Sequence, residues 1–471
     1  MKWDILHKYT KKILTFINAF KKHDLYKSIS GSINENIKCI TASNLTSELT
    51  QIISRTFKTS YDYTITKLNI DKLHDKTDVP IMYIFFCKLH DADIINKFIH
   101  DPDNIYDFTD ILSHITKFIQ FYNHHAYKID ISKMFSVIEK YCSDENILEL
   151  YNLIYKSNNS RSELHTLLYN NKFIALDIQH DAETCIMTKY SIHNDDFNLV
   201  IYCKNTDDIT DYIHNFIHIL YIMIEIGKYN NNTKKPYIIM FLSHQKKQYS
   251  INDNILSATN INSGTTISGN LVMISRKEES HKVLFHEMIH FYGLDFNTEH
   301  NGYNKLKDYI MQKYNIQYVD SPNESYTEML AIIINSHYIA FYTDIPISII
   351  IEYEMLFTLF QISKILNFYN MSSCSDLGKK QIMQTTSVFS YFIIKGSLMF
   401  NLSEFINMIN DSVKSLRITH KINLFSELVK KSLENMHITD GIDTFMKYYN
   451  ILDIDNKSFI FRTLRMSCFH L

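Results

Sequence analysis

The chain has 471 residues, a formal net charge of −3, and 45% hydrophobic and 21% charged residues, which argues against extended disorder and fibrous repeats. With 9 glycines and 5 prolines it lacks the turn residues of an all-β protein, so the expected fold class is α+β, mainly helical. No sustained basic run is present, so no nucleic acid is expected as a partner, and the 7 cysteines, never in a CxxC pair, argue against disulfides or a thiolate zinc site.

The length calls for several cores, and the texture divides into a helical region at 1–165 of unassigned role, a core at 166–345 and a helical lobe at 346–471. Met1-Lys2-Trp3-Asp4 does not open a secretory signal, so an intracellular, cytoplasmic location is expected. The first region carries amphipathic runs such as Ile5 to Phe20 and Ile147 to Tyr155. Its adjacent pair His124-His125 would point about 100° apart on a helix, which suits a surface better than a shared ligand.

Between about 170 and 275 short β-type runs appear at Phe173 to Ile178, Leu199 to Cys203, Tyr237 to Leu242 and Leu271 to Ile274. One helix interrupts them, with Thr206 as cap, an apolar face from Ile213 to Ile224, and Gly227 as terminator. On that helix His214 and His218 stand one turn apart, but residue 215 is Asn, so the pair has no neighbouring carboxylate and reads as a polar face.

The chemistry lies in His286-Glu287-Met288-Ile289-His290. HExxH sets two imidazoles at i and i+4 on one helix face, fit to bind a metal ion, with a glutamate beside them fit to act as general base. Such a pattern arises by chance in roughly one chain of this composition in 25, so its surroundings matter. Ser275 and Glu278 form an S-x-x-E capping box and Gly293 offers a left-handed stop, which predicts a helix around the motif, directly after the strand Leu271 to Ile274. A strand in that position is where an extended substrate would add its backbone. A third ligand is best supplied by Asn323-Glu324-Ser325-Tyr326-Thr327-Glu328, where two glutamates one turn apart open another helix.

HExxH followed by a helix reading N-E-x-x-x-[D/E] resembles the gluzincin, thermolysin-type zinc metallopeptidases. That resemblance implies a zincin-like catalytic core, Zn2+ held by His286, His290 and Glu324, Glu287 as base, Glu328 as the partner of a ligand histidine, and a peptide or protein substrate. The stretch from Asn270 through the glutamate helix is also similar to metalloproteases of large cytoplasmic DNA viruses, which implies a viral protein, virion-associated or cytoplasmic; the AT-rich codon texture agrees. Two departures stand: the loop 291–323 is longer than in thermolysin, and Glu328 replaces an aspartate.

Alternatives remain on the sequence. Ser321-Pro322-Asn323-Glu324 also fits a capping box, which would promote Glu328 to ligand. The metzincin pattern HExxHxxGxxH starts well but places Phe296 at its third ligand, with Asp295 one position early and His300 four late. An oxyanion donor is sought among Tyr326, Tyr338, Tyr391 and His337, with Tyr338 preferred because it shares the face of Glu324. Thr385-Thr386-Ser387 and Ser390-Tyr391 with Lys395 are candidates to line the cleft. Charges at Glu352, Glu354 and Lys395 interrupt the most apolar runs, so no membrane span is expected. The rival function is a non-catalytic structural or virion protein with a degenerate or structural zinc site.

Overall fold

The computed structural model describes residues 2–70, 164, 168, 174–250, 253–267, 270–296, 301–318, 320–452 and 458–471. His124, His125, His300 and the run Ile147 to Tyr155 lie outside them. Two compact units are present: residues 1–68 with 188–471, and residues 69–187. The boundaries expected at 165 and 345 therefore do not coincide with the division of the chain. The physical reason is continuity of packing, since N-terminal helices and C-terminal helices share one apolar core with the sheet. Within the second unit the described part is a helix at Leu176–Thr184, where the apolar run had suggested a strand; Gln179 Nε2 donates to the Leu168 carbonyl at 3.0 Å.

In the first unit a six-stranded sheet runs β1 (Thr64–Ile70), β2 (Met187–His193), β3 (Asn198–Lys204), β4 (Tyr237–Phe241), β6 (Leu271–Ile274), β5 (Gly264–Ile267) in spatial order. The fold is thus α+β and mainly helical, as the composition implied. β3, β4 and β6 are mutually parallel and β5 is antiparallel to β6 at the sheet edge. The central strands are near-continuous apolar runs because both their faces are covered. Leu271–Ile274 is flanked on both sides, so among the described residues the edge available for a further strand is that of β5 and not, as expected, that of the strand preceding the motif.

Helix α1 (Lys8–Lys21), α2 (Ser30–Ala42) and α3 (Asn44–Lys58) pack against the later helices. The crossover from β3 to β4 is helix α4 (Thr210–Tyr229). It starts four residues after Thr206, with Asp208 Oδ1 accepting from the Thr210 N–H at 3.1 Å, and it runs through Gly227. Gly227 serves close approach: a Cβ there would meet the Tyr292 ring at 2.8 Å. β6 leads to α5 (Ser280–Phe291), followed by α6 (Asn301–Lys313), β7 (Ile316–Tyr318), α7 (Asn323–Thr343) and α8 (Ile347–Phe368). β8 (Ile382–Gln384) pairs with β7, and a π-helical turn follows at Phe389–Ile394. α7 and α8 are apolar around most of their circumference and buried accordingly. No helix of the described residues is long and apolar enough to cross a membrane.

The last residues thread the core without joining a sheet. Their backbone groups are satisfied by buried side chains: Glu354 accepts from the N–H groups of Cys468 and Phe469, and Glu279 from those of Met466 and Ser467.

Candidate metal centre

Helix α5 carries the HExxH residues. Ser275 and Glu278 do not cap it: Ser275 bonds to the Ser263 carbonyl and Glu278 Oε2 accepts from the Lys247 N–H at 2.7 Å, while the helix begins at Ser280 behind Glu279 in a left-handed conformation. Its far end is as read. Gly293 has φ 57°, its N–H donates to His290 O at 2.9 Å and the Leu294 N–H to Ile289 O at 3.1 Å, a Schellman closure. The chain therefore turns sharply one residue-pair past His290 and returns Asp295 to it.

Three donor atoms converge. His286 Nε2 and His290 Nε2 are 3.1 Å apart, and Glu324 Oε2 from the first turn of α7 stands 3.2 Å from the former and 3.4 Å from the latter. Each outer imidazole nitrogen meets a carboxylate at 2.8 Å: His286 Nδ1 faces Glu328 Oε1 and His290 Nδ1 faces Asp295 Oδ2. Acceptors on Nδ1 favour the Nδ1–H tautomer, which leaves both Nε2 lone pairs aimed at one point. Glu324 Oε2 is buried and has no hydrogen-bond partner among the described residues. Three electron-pair donors gathered this closely need a shared proton or metal ion among them, and two imidazoles with a carboxylate form a set that fits a divalent metal ion. Among the described residues no fourth His, Cys, Asp or Glu joins them.

Protonation follows the same logic. Although burial opposes it, the Asp295 and Glu324 carboxylates hold His290 well above the ordinary imidazole range, and Glu328 with Glu324 raises His286. Burial likewise opposes, but His290 and His286 outweigh it, in holding Glu324 well below the carboxylate range. Lys282, buried against Glu328, and the His286 ring do the same for Glu328. Glu287 goes the other way, raised by burial against the pull of the two histidines.

The structure places the proposed base beside this set. Thr266 on β5 donates from Oγ1 to Glu287 Oε2 at 2.7 Å and to its backbone carbonyl at 3.0 Å. Gly264 on the same strand makes the approach possible, since a Cβ there would lie 2.5 Å from Glu287 Oε1. Glu324 makes no capping bond, and Glu328 meets the outer nitrogen of His286. Tyr338 is not brought to the set: its hydroxyl donates to the Asn215 carbonyl at 3.3 Å, among the rings of Phe285, His218 and Tyr342. Tyr391 is: its ring lies 6.3 Å from that of His286, and burial, with Glu324, Glu287 and Glu328 adding to it, raises its hydroxyl well above the usual phenol range. Tyr326 bonds to the Leu416 carbonyl and His337 to Thr46, both away from the site. Phe296 packs in the core against Tyr326 and Phe425, so the metzincin position supplies no ligand.

Of the proposed cleft polar residues, Ser390 bonds to Asp320 at 2.7 Å, Thr386 to Asn262 at 3.0 Å and Lys395 to Thr358 at 2.9 Å. The Asp320–Ser390 bond anchors the π-helical turn that carries Tyr391. His218, read as part of a polar face, is buried between Thr56 and Tyr342. Gly264, Thr266 and the orienting role of Asp295 were not found by sequence reasoning. The single signal for Asp295 was its place just after the glycine stop.

No protein family matches the chain. It is similar to a protein of Acanthamoeba polyphaga mimivirus described as uncharacterized, 24% identical over 319 residues, covering 59% of this chain and 78% of that one. No solved structure matches it.

Proposed function

We propose that the chain is a zinc-dependent metallopeptidase that hydrolyses peptide bonds. The observation that carries the reading is the convergence of His286 Nε2, His290 Nε2 and Glu324 Oε2 with the Glu287 carboxylate fixed beside them. His286, His290 and Glu324 would hold the ion, two imidazoles and a carboxylate being a set that suits zinc and leaves a position open. When bound, zinc supplies Lewis acidity that acidifies water and polarises a carbonyl oxygen.

The remaining work falls to side chains of this chain. Glu287 takes a proton from the attacking water as its oxygen bonds to the carbonyl carbon, and delivers that proton to the amide nitrogen as the C–N bond breaks. Its burial, which raises its proton affinity, suits a group that must both accept and release. The Tyr391 hydroxyl donates to the oxyanion, and the open edge of β5 takes an extended substrate in backbone pairing, bringing its scissile bond past Thr266 and Glu287. A structural zinc site closes with four protein ligands, and the three donors found among the described residues favour catalysis over a purely architectural role. The mimivirus source of the similar protein supports a viral origin for this one.

Glu287→Gln tests the reading. It keeps the shape and the Thr266 contact but removes the base; zinc content is expected unchanged and peptide hydrolysis reduced by about 10²–10⁴-fold. Hydrolysis at the parent rate by the zinc-loaded variant contradicts the assignment.

A further inference from the structure

A second feature lies in a cavity of about 410 Å³ beside the start of α1. Four cationic side chains, Lys8, Lys246, Lys277 and Arg465, line it against one carboxylate, Glu278. Lys8 and Lys246 have no ion-pair partner among the described residues; their ammonium groups rest 5.3 and 5.0 Å from the Tyr9 ring centroid. Lys277 shares Asp207 with His244, at 3.5 and 2.7 Å.

Arg465 is the unusual member. It is 0% exposed, yet Nε and both terminal nitrogens of its guanidinium lack hydrogen-bond partners among the described residues. Glu279 Oε1, 4.0 Å from its Nε, is already committed to the N–H groups of Met466 and Ser467, and Glu279 Oε2 pairs with Lys247 at 3.0 Å. The buried His470 Nε2 on the same cavity also lacks a partner. Burial, reinforced by the field of Arg465, Lys246, Lys8 and Lys277, pushes the His7 ring down to about 4, and Glu278 is the one carboxylate in the lining that opposes this positive field.

We propose that this cavity binds a phosphate-bearing small molecule, its oxyanion held by the ammonium groups of Lys8, Lys246 and Lys277 in the positive field of the buried Arg465 guanidinium. Lysine ammonium groups adapt as point charges around phosphate oxygens, and a permanently charged guanidinium behind them strengthens the attraction through a medium of low dielectric. With Lys277 paired to Asp207, and Glu278 the one carboxylate in the lining, Lys8 and Lys246 still lack an ion-pair partner among the described residues, which suits a multiply charged anion better than a single carboxylate group. The volume lies in the range of about 300–1,000 Å³ typical of organic ligand sites, so it has room for more than an isolated oxyanion. The inference does not depend on the metal centre.

Equilibrium dialysis of the full chain with inorganic pyrophosphate, and separately with a nucleoside diphosphate, tests it at about 0.15 M salt. Saturable binding of at least one probe is expected, weakened about ten-fold or more in the Lys246→Ala/Lys277→Ala variant and in Arg465→Met, and unchanged by a metal chelator. Tighter binding of the nucleoside diphosphate identifies an organic phosphate ester as the occupant; equal binding identifies the oxyanion alone, and both support the site. Because Arg465 is buried and its replacement can cost folding, the double lysine variant, altered at partly exposed positions, carries the test on its own. Absence of binding by both probes, binding unaltered in that variant, or binding abolished by the chelator overturns the proposal.

Discussion

At the scale of single residues, the centre depends on which nitrogen each imidazole presents. Asp295 and Glu328 achieve this from opposite sides, one from the turn after α5 and one from α7, each 2.8 Å from an Nδ1 atom. Asp295 is itself steadied by Asn323 Nδ2 at 3.4 Å, which ties the loop to the start of α7. Asp295→Asn keeps size while removing the charge that favours the Nδ1–H form. Zinc affinity, measured by competition with a chromogenic chelator, is expected to fall about 10–100-fold; an unchanged affinity would show that His290 needs no such partner. Phe296, the next residue, is expected to tolerate change at the metal, because its ring faces Phe425 and not the donors.

At the scale of elements, the groups of the candidate centre come from four pieces of backbone: α5, α7, the edge strand β5 and the π-helical turn at Phe389–Ile394. The extra residue in a π turn displaces side chains from the α-helical stripe, and here the turn carries Tyr391, whose ring lies 6.3 Å from that of His286. Tyr391→Phe is expected to lower kcat about 10²–10³-fold with little change in KM, whereas Tyr338→Phe leaves both unchanged; equal effects from the two variants would remove Tyr391 from the reaction. The contrast shows where the sequence stops being legible. HExxH, the glutamate helix, the strand before the motif and the Gly293 stop were readable because local spacing sets them. Tyr391 over Tyr338 was not, since a helical-face argument from Glu324 assumes the donor lies on the same helix. Nor could spacing reveal that a glycine on β5 opens room for Glu287, because Gly264 and Glu287 meet only after the sheet has formed. The capping box at Ser275 failed for a related reason: both its residues found tertiary partners, Ser263 and Lys247, stronger in context than a local cap.

At the scale of the whole molecule, the core holds more ionisable groups than its apolar sequence suggests, and several are kept uncharged. Burial pushes His218 and His337 down to about 4, against an opposing backbone hydrogen bond in each case. Unfolded, both rings titrate near 6.5, so between about 6.5 and 4 the unfolded chain binds protons that the folded chain does not. The share of stability that these two rings contribute is therefore full above 6.5 and falls with acidification through that window, by up to about 1.4 kcal/mol per pH unit for each ring. Asp320, raised by burial to about 6, works in the opposite sense and offsets part of the loss below that value. Urea unfolding at stepped pH is expected to show the acid slope of His218→Asn reduced by about one proton relative to the parent; an identical slope contradicts the burial argument. The same unit brings N-terminal helices, sheet and C-terminal chain into one core around the three donor atoms, and the claim that they hold a single catalytic ion is the one most directly open to measurement. Metal analysis of the purified parent beside His286→Ala, Glu324→Ala and Glu328→Gln is expected to give one zinc per chain in the parent, none in the first two and a weakened but occupied site in the third. A parent that binds no zinc, or a Glu324→Ala protein that retains it in full, contradicts the account.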